Sequence, residues 1–254
     1  MNLNFKKVGD GVPLIILHGL FGSLDNWMGI AKTLGEHFEV YVLDARNHGQ
    51  SPHDNEFNYE VMADDLYEFI HVHHIVNPII LGHSMGGKTA MQFAMNYPNI
   101  LAKLIVADIA PKPYPVHHRQ IIDGLLSLDF NKIKSRTEAD VELSKHISDL
   151  SVRQFLLKNL FWIEKEKLAW RFNLPVINQN IEIVGKGLIN IHPFLKPTLF
   201  IRGEKSNYIL DSDLVDINSI FPNSEVKTIA NSGHWIHAEQ PQAFMQILRE
   251  FLEL

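Results

Sequence analysis

A serine hydroxyl attacks a carbonyl only when a neighbouring base takes its proton. Ser84 stands where such an attack is usually arranged, in Gly82-His83-Ser84-Met85-Gly86, behind the apolar run Pro78-Ile79-Ile80-Leu81 and ahead of Gly87-Lys88-Thr89-Ala90-Met91-Gln92-Phe93-Ala94-Met95. This is the G-x-S-x-G pattern in the context it requires, a buried strand turning sharply into a helix. The flanking glycines fit a strained elbow, where the helix must approach the sheet closely and β-carbons would be in the way. Ser84 is therefore expected to be an exposed nucleophile. Of the fourteen histidines, His234 is best placed as its general base. It lies in Asn231-Ser232-Gly233-His234-Trp235-Ile236-His237, after the last expected strand and before the terminal helix. Loops leaving the C-terminal ends of parallel strands open on one side of a sheet, so Ser84 and His234 can converge despite their separation. His237 is the local competitor, better suited to packing or hydrogen bonding.

An acid should orient His234. After Leu199-Phe200-Ile201-Arg202, where an aspartate often follows the glycine, the chain reads Gly203-Glu204-Lys205-Ser206-Asn207. Asp108 instead ends the earlier run Leu104-Ile105-Val106-Ala107, and a carboxylate at that point faces the same side as Ser84. Asp108 is preferred, with Glu204 and Asp211 in reserve. Acyl transfer also puts negative charge on the former carbonyl oxygen, which needs preorganised donors. The backbone N–H of Met85, at the helix N-terminus, is one. The other is expected from His18-Gly19-Leu20-Phe21-Gly22-Ser23, with Leu20 ahead of Phe21 and Ser23 able to cap the helix that holds Trp27.

Short apolar runs alternate with helical periods through the first hundred residues, the grammar of a mostly parallel α/β sheet flanked by helices. Leu3 to Val8 and Pro13 to Leu17 flank Gly9-Asp10-Gly11, which predicts a hairpin and an antiparallel edge. Val40–Leu43, Ile79–Leu81, Leu104–Ala107, Thr198–Ile201 and Glu225–Ile229 are the further strands. Pro241 suits the first turn of a last helix that aligns Phe244, Ile247, Leu248 and Phe251. From about Val116 to Asn190 only helical segments are expected, an inserted helical cap over 113–190 between core segments 1–112 and 191–254. One of its helices is expected to open at a capping box beginning with Ser151 and run through Phe161, and Pro175 to interrupt another. Trp162, Trp170 and Phe172 read as cap core rather than as an acyl pocket.

Composition narrows the chemistry. With 46% hydrophobic and 20% charged residues, the 254-residue chain reads as globular rather than disordered. A net charge of −6 without a basic stripe argues against a nucleic-acid partner. The absence of cysteine removes disulfides, thiolate metal sites and cysteine nucleophiles. His71-Val72-His73-His74 lacks a carboxylate or thiolate partner at ligand spacing and ends a helix, where histidines suit the dipole; His117-His118 carries no stronger signal. No cofactor or metal is expected. Neither a signal-type leader nor a run long enough to span a bilayer is apparent, so the cytoplasm is the expected compartment.

Taken together, His18-Gly19, Asp44-Ala45-Arg46-Asn47-His48-Gly49-Gln50-Ser51, Gly82 to Gly87 and Gly233-His234-Trp235 resemble the α/β-hydrolase superfamily over nearly the whole chain. The wording from His18 to Trp27, Ala107-Asp108-Ile109-Ala110-Pro111 and Gly233 to Ala238 is similar to YbfF-type bacterial acyl esterases. That resemblance implies a cofactor-free serine esterase of small to medium acyl esters, with acyl-CoA thioesters in range. It also implies that Asp108 is the acid and that the loop from Asp44 to Ser51 is structural. Carbon–carbon bond hydrolysis or lyase chemistry by the same residues is the enzymatic alternative. A non-catalytic small-molecule receptor is the alternative of another class.

Overall fold

The computed structural model describes residues 1–115, 118–165 and 167–254. Seven strands form one sheet: β1 (Phe5–Val8), β2 (Val12–Leu17), β3 (Phe38–Leu43), β4 (Ile79–His83), β5 (Lys103–Ala107), β8 (Thr198–Gly203) and β9 (Ser224–Ile229), in the order β1-β3-β2-β4-β5-β8-β9. All pairings are parallel except β1 with β3. The five inner strands are mostly apolar because helices cover both faces, whereas the edge strands β1 and β9 carry lysines and a glutamate. Ile15, Leu17, Ile80, Leu104, Val106 and Phe200 point toward α2 (Tyr59–Val72), α3 (Met85–Asn96) and α9 (Leu214–Ile220). Their neighbours Leu14, Ile16, Leu81, Ile105, Leu199 and Ile201 meet α1 (Met28–Leu34) and α11 (Pro241–Leu252) on the other side. In α11, Phe244, Leu248 and Leu252 are buried, as the apolar periodicity requires.

The antiparallel edge is present, but its partner is not the expected one. β1 pairs with β3 in the register Phe5↔Leu43 to Val8↔Val40, and β3 lies between β1 and β2. Gly9-Asp10-Gly11 therefore crosses the start of β3 instead of turning a hairpin. The crossing requires its glycines: Gly9 has φ 75°, and a β-carbon there would fall 2.1 Å from Gly35 O and 2.4 Å from Phe38 O.

Between β5 and β8 the chain leaves the sheet and builds α4 (Arg119–Leu126), α5 (Arg136–Ser144), α6 (Leu150–Leu157), α7 (Leu174–Gln179) and the short α8 (Ile181–Val184). This segment is not purely helical. β6 (Leu160–Glu164) and β7 (Lys167–Trp170) form an antiparallel pair where continued helix was expected through Phe161. Helix α6 is capped by Asp149, whose Oδ1 accepts from Ser151 N at 2.7 Å and Val152 N at 3.2 Å, so the cap lies two residues before Ser151. The helix stops at Leu157 because Asn159 turns inward, donating from Nδ2 to Leu156 O and, at 2.7 Å, to Phe21 O of the core. Pro175 opens α7 rather than interrupting a helix. The segment has its own apolar centre, including Ile122, Leu125, Leu143, Leu156 and Ile177, continuous with Leu20, Phe21 and Met85. Phe172 belongs to it, stacked at 5.1 Å on the half-buried Trp170, whereas Trp162 is 48% exposed. Among the described residues no helix is long and apolar enough to cross a membrane.

Candidate active site

Ser84 sits between the last residue of β4 and the first of α3 with φ 53° and ψ −116°. Such backbone costs about 1–3 kcal/mol and persists only where the surroundings impose it. They do so through close approach. A β-carbon on Gly82 would meet Gly86 O at 2.2 Å, and one on Gly86 would meet Leu17 O at 2.4 Å. Ser84 N–H also donates to Ala107 O of β5 at 3.0 Å, which ties the elbow to the neighbouring strand.

His234 bridges the other two candidates. Its Nε2 lies 3.0 Å from Ser84 Oγ and its Nδ1 2.8 Å from Asp108 Oδ2. With Nδ1–H donating to the carboxylate, Nε2 is left to accept the serine proton. Asp108 is fully buried at the end of β5, with φ 51°. Its Oδ1 accepts from Gly203 N at 3.0 Å, and its Oδ2 also accepts from Ser206 Oγ. Neither reserve acid hydrogen-bonds to His234. Glu204 accepts from Asn231 N, and Asp211 pairs at 2.7 Å with Arg202 at the surface.

Two residues to which the sequence assigned no role complete this corner. Ser206 lies in the stretch after β8 where no aspartate follows the glycine, and its hydroxyl donates to Asp108. The ring of Tyr208 stacks on the His234 imidazole with centroids 4.0 Å apart and planes 23° apart. Ser206 could have been suspected from the missing acid. Tyr208 carried no local signal.

The loop after β2 is braced by neutral histidines. His18 donates from Nδ1 to Gly19 O and accepts at Nε2 from Ala45 N, while His48 donates from Nδ1 to Arg46 O and accepts at Nε2 from Phe21 N at 3.2 Å. Burial lowers His18 and pushes His48 down to about 3, so both act as neutral donor–acceptor rings. Asp44 adds a third brace by accepting from Leu24 N at 2.8 Å. This gives the Asp44–Ser51 loop its structural work. The Phe21 N–H is used, in a residue with φ 58°, whereas among the described residues the Leu20 N–H makes no hydrogen bond. Met85 is the first residue of α3, so its N–H has no carbonyl within the helix to bind. Ser23 precedes the short 3₁₀ turn Leu24–Asn26, not the helix itself, and its N–H donates to Asn26 Oδ1.

His83 donates from Nε2 to His234 O at 2.9 Å, and burial holds its ring well below the ordinary histidine range. His237 does not touch Ser84; it stacks on Trp27 at 4.0 Å, and burial pushes it down to about 3. Far from the site, His73 packs against the rings of Phe5 and Phe69. His117 lies outside the described residues. A cavity of about 530 Å³ opens on Ser84 and His234, walled by Leu20 and Trp27 from the core, Ile121 and Phe155 from the segment between β5 and β8, and Tyr208 and Trp235 beside the imidazole.

The alpha/beta hydrolase fold family model matches residues 12–144. The sn-1-specific diacylglycerol lipase ABHD11 of Danio rerio is 38% identical over 258 residues, spanning 98% of this chain and 81% of the relative. Esterase YbfF of Escherichia coli (strain K12) is 36% identical over 242 residues, spanning 94% and 92%. A solved marine microorganism esterase superposes with a TM-score of 0.96 at 46% identity, over 98% of both chains. An E-2-(acetamidomethylene)succinate hydrolase, with a TM-score of 0.84 at 18% identity, shares the fold. The chain belongs to the α/β-hydrolase family, as a hydrolase whose relatives are named as esterases and lipases.

Proposed function

We propose that the protein is a serine carboxylesterase that cleaves small to medium acyl esters through an acyl-enzyme on Ser84. The observation that carries this reading is the single imidazole within hydrogen-bond reach of both Ser84 Oγ and Asp108 Oδ2. His234 takes the serine proton as Oγ attacks the carbonyl carbon, and the N–H groups of Met85 and Leu20 receive the oxygen that becomes negative. Asp108 keeps Nδ1 protonated and stabilises the imidazolium. His234 then protonates the leaving alkoxide, the acyl group stays on Ser84, and a water deprotonated by His234 releases the acid and regenerates the hydroxyl.

A thiolate leaving group follows the same path, so acyl-CoA thioesters fall within this proposal. The cavity supports the size class: about 530 Å³ with mainly apolar walls suits a short or medium chain. Residues 113–190 act as the cap that supplies its outer wall. Ser84→Ala should abolish turnover of p-nitrophenyl esters and labelling by a fluorophosphonate; full activity in that variant would falsify the mechanism. A profile across acyl p-nitrophenyl esters and acyl-CoAs assigns the leaving group, and an unlabelled wild-type Ser84 would favour a receptor instead.

A further inference from the structure

Lys88 is a buried amine that the proposed chemistry does not use. It lies one turn into α3, its backbone N–H donating to Ser84 O at 2.9 Å, and it is 1% exposed. Among the described residues no carboxylate pairs with it. Its Nζ instead donates to two backbone carbonyls, Lys112 O at 2.7 Å and Lys186 O. The ring faces of Tyr114 and Tyr59 lie 4.9 Å and 5.6 Å away. The two carbonyls belong to different stretches of chain. Lys112 is on the stretch that leaves β5, and Lys186 on the one that returns toward β8. These run side by side, with Tyr114 N donating to Gly185 O at 2.7 Å and Leu188 N to Pro111 O at 3.3 Å. One turn further along α3, Gln92 exchanges two hydrogen bonds with the backbone of Ile189 but does not reach the outgoing stretch.

Burial alone pulls the Lys88 ammonium down to about 7. An apolar side chain of the same length would avoid that desolvation, so a lysine here is a local sacrifice that calls for a role. We infer that Lys88 is a positioning residue that pins both chain crossings to the nucleophile helix, fixing the cap wall of Ile121 and Phe155 over Ser84 and thereby setting which acyl chains the pocket holds. Its site is formed by the two carbonyls and two ring faces, and a shift of either crossing would remove one of the two carbonyl acceptors. The link to acyl selectivity rests on the esterase reading, whereas the mechanical pinning does not.

The test is amide hydrogen exchange on the full chain, comparing wild type with Lys88→Met and Gln92→Leu. Lys88→Met should speed exchange at both Tyr114 and Leu188 by about tenfold or more, since local opening governs it. Gln92→Leu should act on the returning stretch and leave Tyr114 unaffected. Kinetically, Lys88→Met should raise KM for an octanoyl ester about tenfold more than KM for the acetyl ester, a split that general damage to the triad would not produce. Unchanged exchange at either crossing in Lys88→Met overturns the pinning, and accelerated exchange with an unchanged KM ratio overturns the selectivity role. Should that variant not fold, the wild type decides. Tyr114 and Leu188 amides protected to within about tenfold of the α3 amides support the pin, and crossings that exchange more than about a hundredfold faster refute it. Exchange needs no turnover, so failure of the esterase reading would leave this outcome legible.

Discussion

Ser206 and His234 bond to the same oxygen of Asp108, Oδ2, from opposite partners in the chain. The carboxylate is thereby held by three donors, with Gly203 N on Oδ1. Removing one donor to a charged acceptor typically costs about 1.5–3 kcal/mol of its interaction. Part of that holds the acid in place for His234. Ser206→Ala should lower kcat about tenfold with a smaller change in KM, as measured by initial rates on a p-nitrophenyl ester; a kcat equal to wild type would remove Ser206 from the acid's support.

Asp108 and its two reserves separate cleanly by substitution. Asp108→Asn leaves the geometry but presents the imidazole with the wrong partner, for which a loss near 10⁴ in kcat is the general expectation. Glu204→Gln and Asp211→Asn should stay within about twofold of wild type, because surface or loop contacts of this kind carry little energy. A collapse in either of those variants, with Asp108→Asn active, would reassign the acid.

The stacked pair Tyr208 and His234 predicts a dissociation between ring and hydroxyl. An aromatic contact is worth about 0.5–1.5 kcal/mol beyond burial. Tyr208→Leu should therefore reduce kcat by about three- to tenfold, while Tyr208→Phe keeps the stack and most of the rate. Equal losses in the two variants would assign the effect to the hydroxyl.

His18, His48, His83 and His237 are all lowered by burial, the second and fourth to about 3. A group with a depressed folded pKa contributes stability above its unfolded value near 6.5, and that stability is lost as the pH falls toward the folded value. The unfolding free energy from urea titrations should thus decline steadily from about pH 6.5 to pH 3. His237→Phe, which keeps a ring against Trp27, should flatten the slope by up to about 1.4 kcal/mol per pH unit. An unaltered slope would mean that His237 charges without cost in the fold.

The sheet could be read from the chain because parallel strands covered on both faces are short apolar runs that little else imitates. The elbow was legible for a related reason: Gly82 and Gly86 are demanded by backbone contacts that a β-carbon would violate. Asp108 could be nominated as the acid from its place at the end of a central strand and from the resemblance, and it lies 2.8 Å from His234 Nδ1. What the sequence did not reveal depends on partners distant in the chain. The glycines of Gly9-Asp10-Gly11 suit a hairpin and a crossing equally, and only the insertion of β3 decides. The periodicity that continues α6 past Leu157 also fits the strand at Leu160, and Asn159 breaks the helix through a contact with Phe21. Tyr208 meets His234 solely through tertiary packing.

Under the proposed mechanism, an acid on β5 has a mechanical effect. Asp108, whose Oδ2 lies 2.8 Å from His234 Nδ1, and Lys112, whose carbonyl is held by Lys88, are four residues apart on one stretch of chain, a tether of at most about 14 Å. The loop after β8 is tied to the same stretch, with Lys112 Nζ donating to Asp213 Oδ2 at 2.6 Å and the Tyr114 hydroxyl to Tyr208 O. The Asp108 carboxylate is the root of a lever whose far arm is the segment between β5 and β8, and Lys88 is placed at its fulcrum.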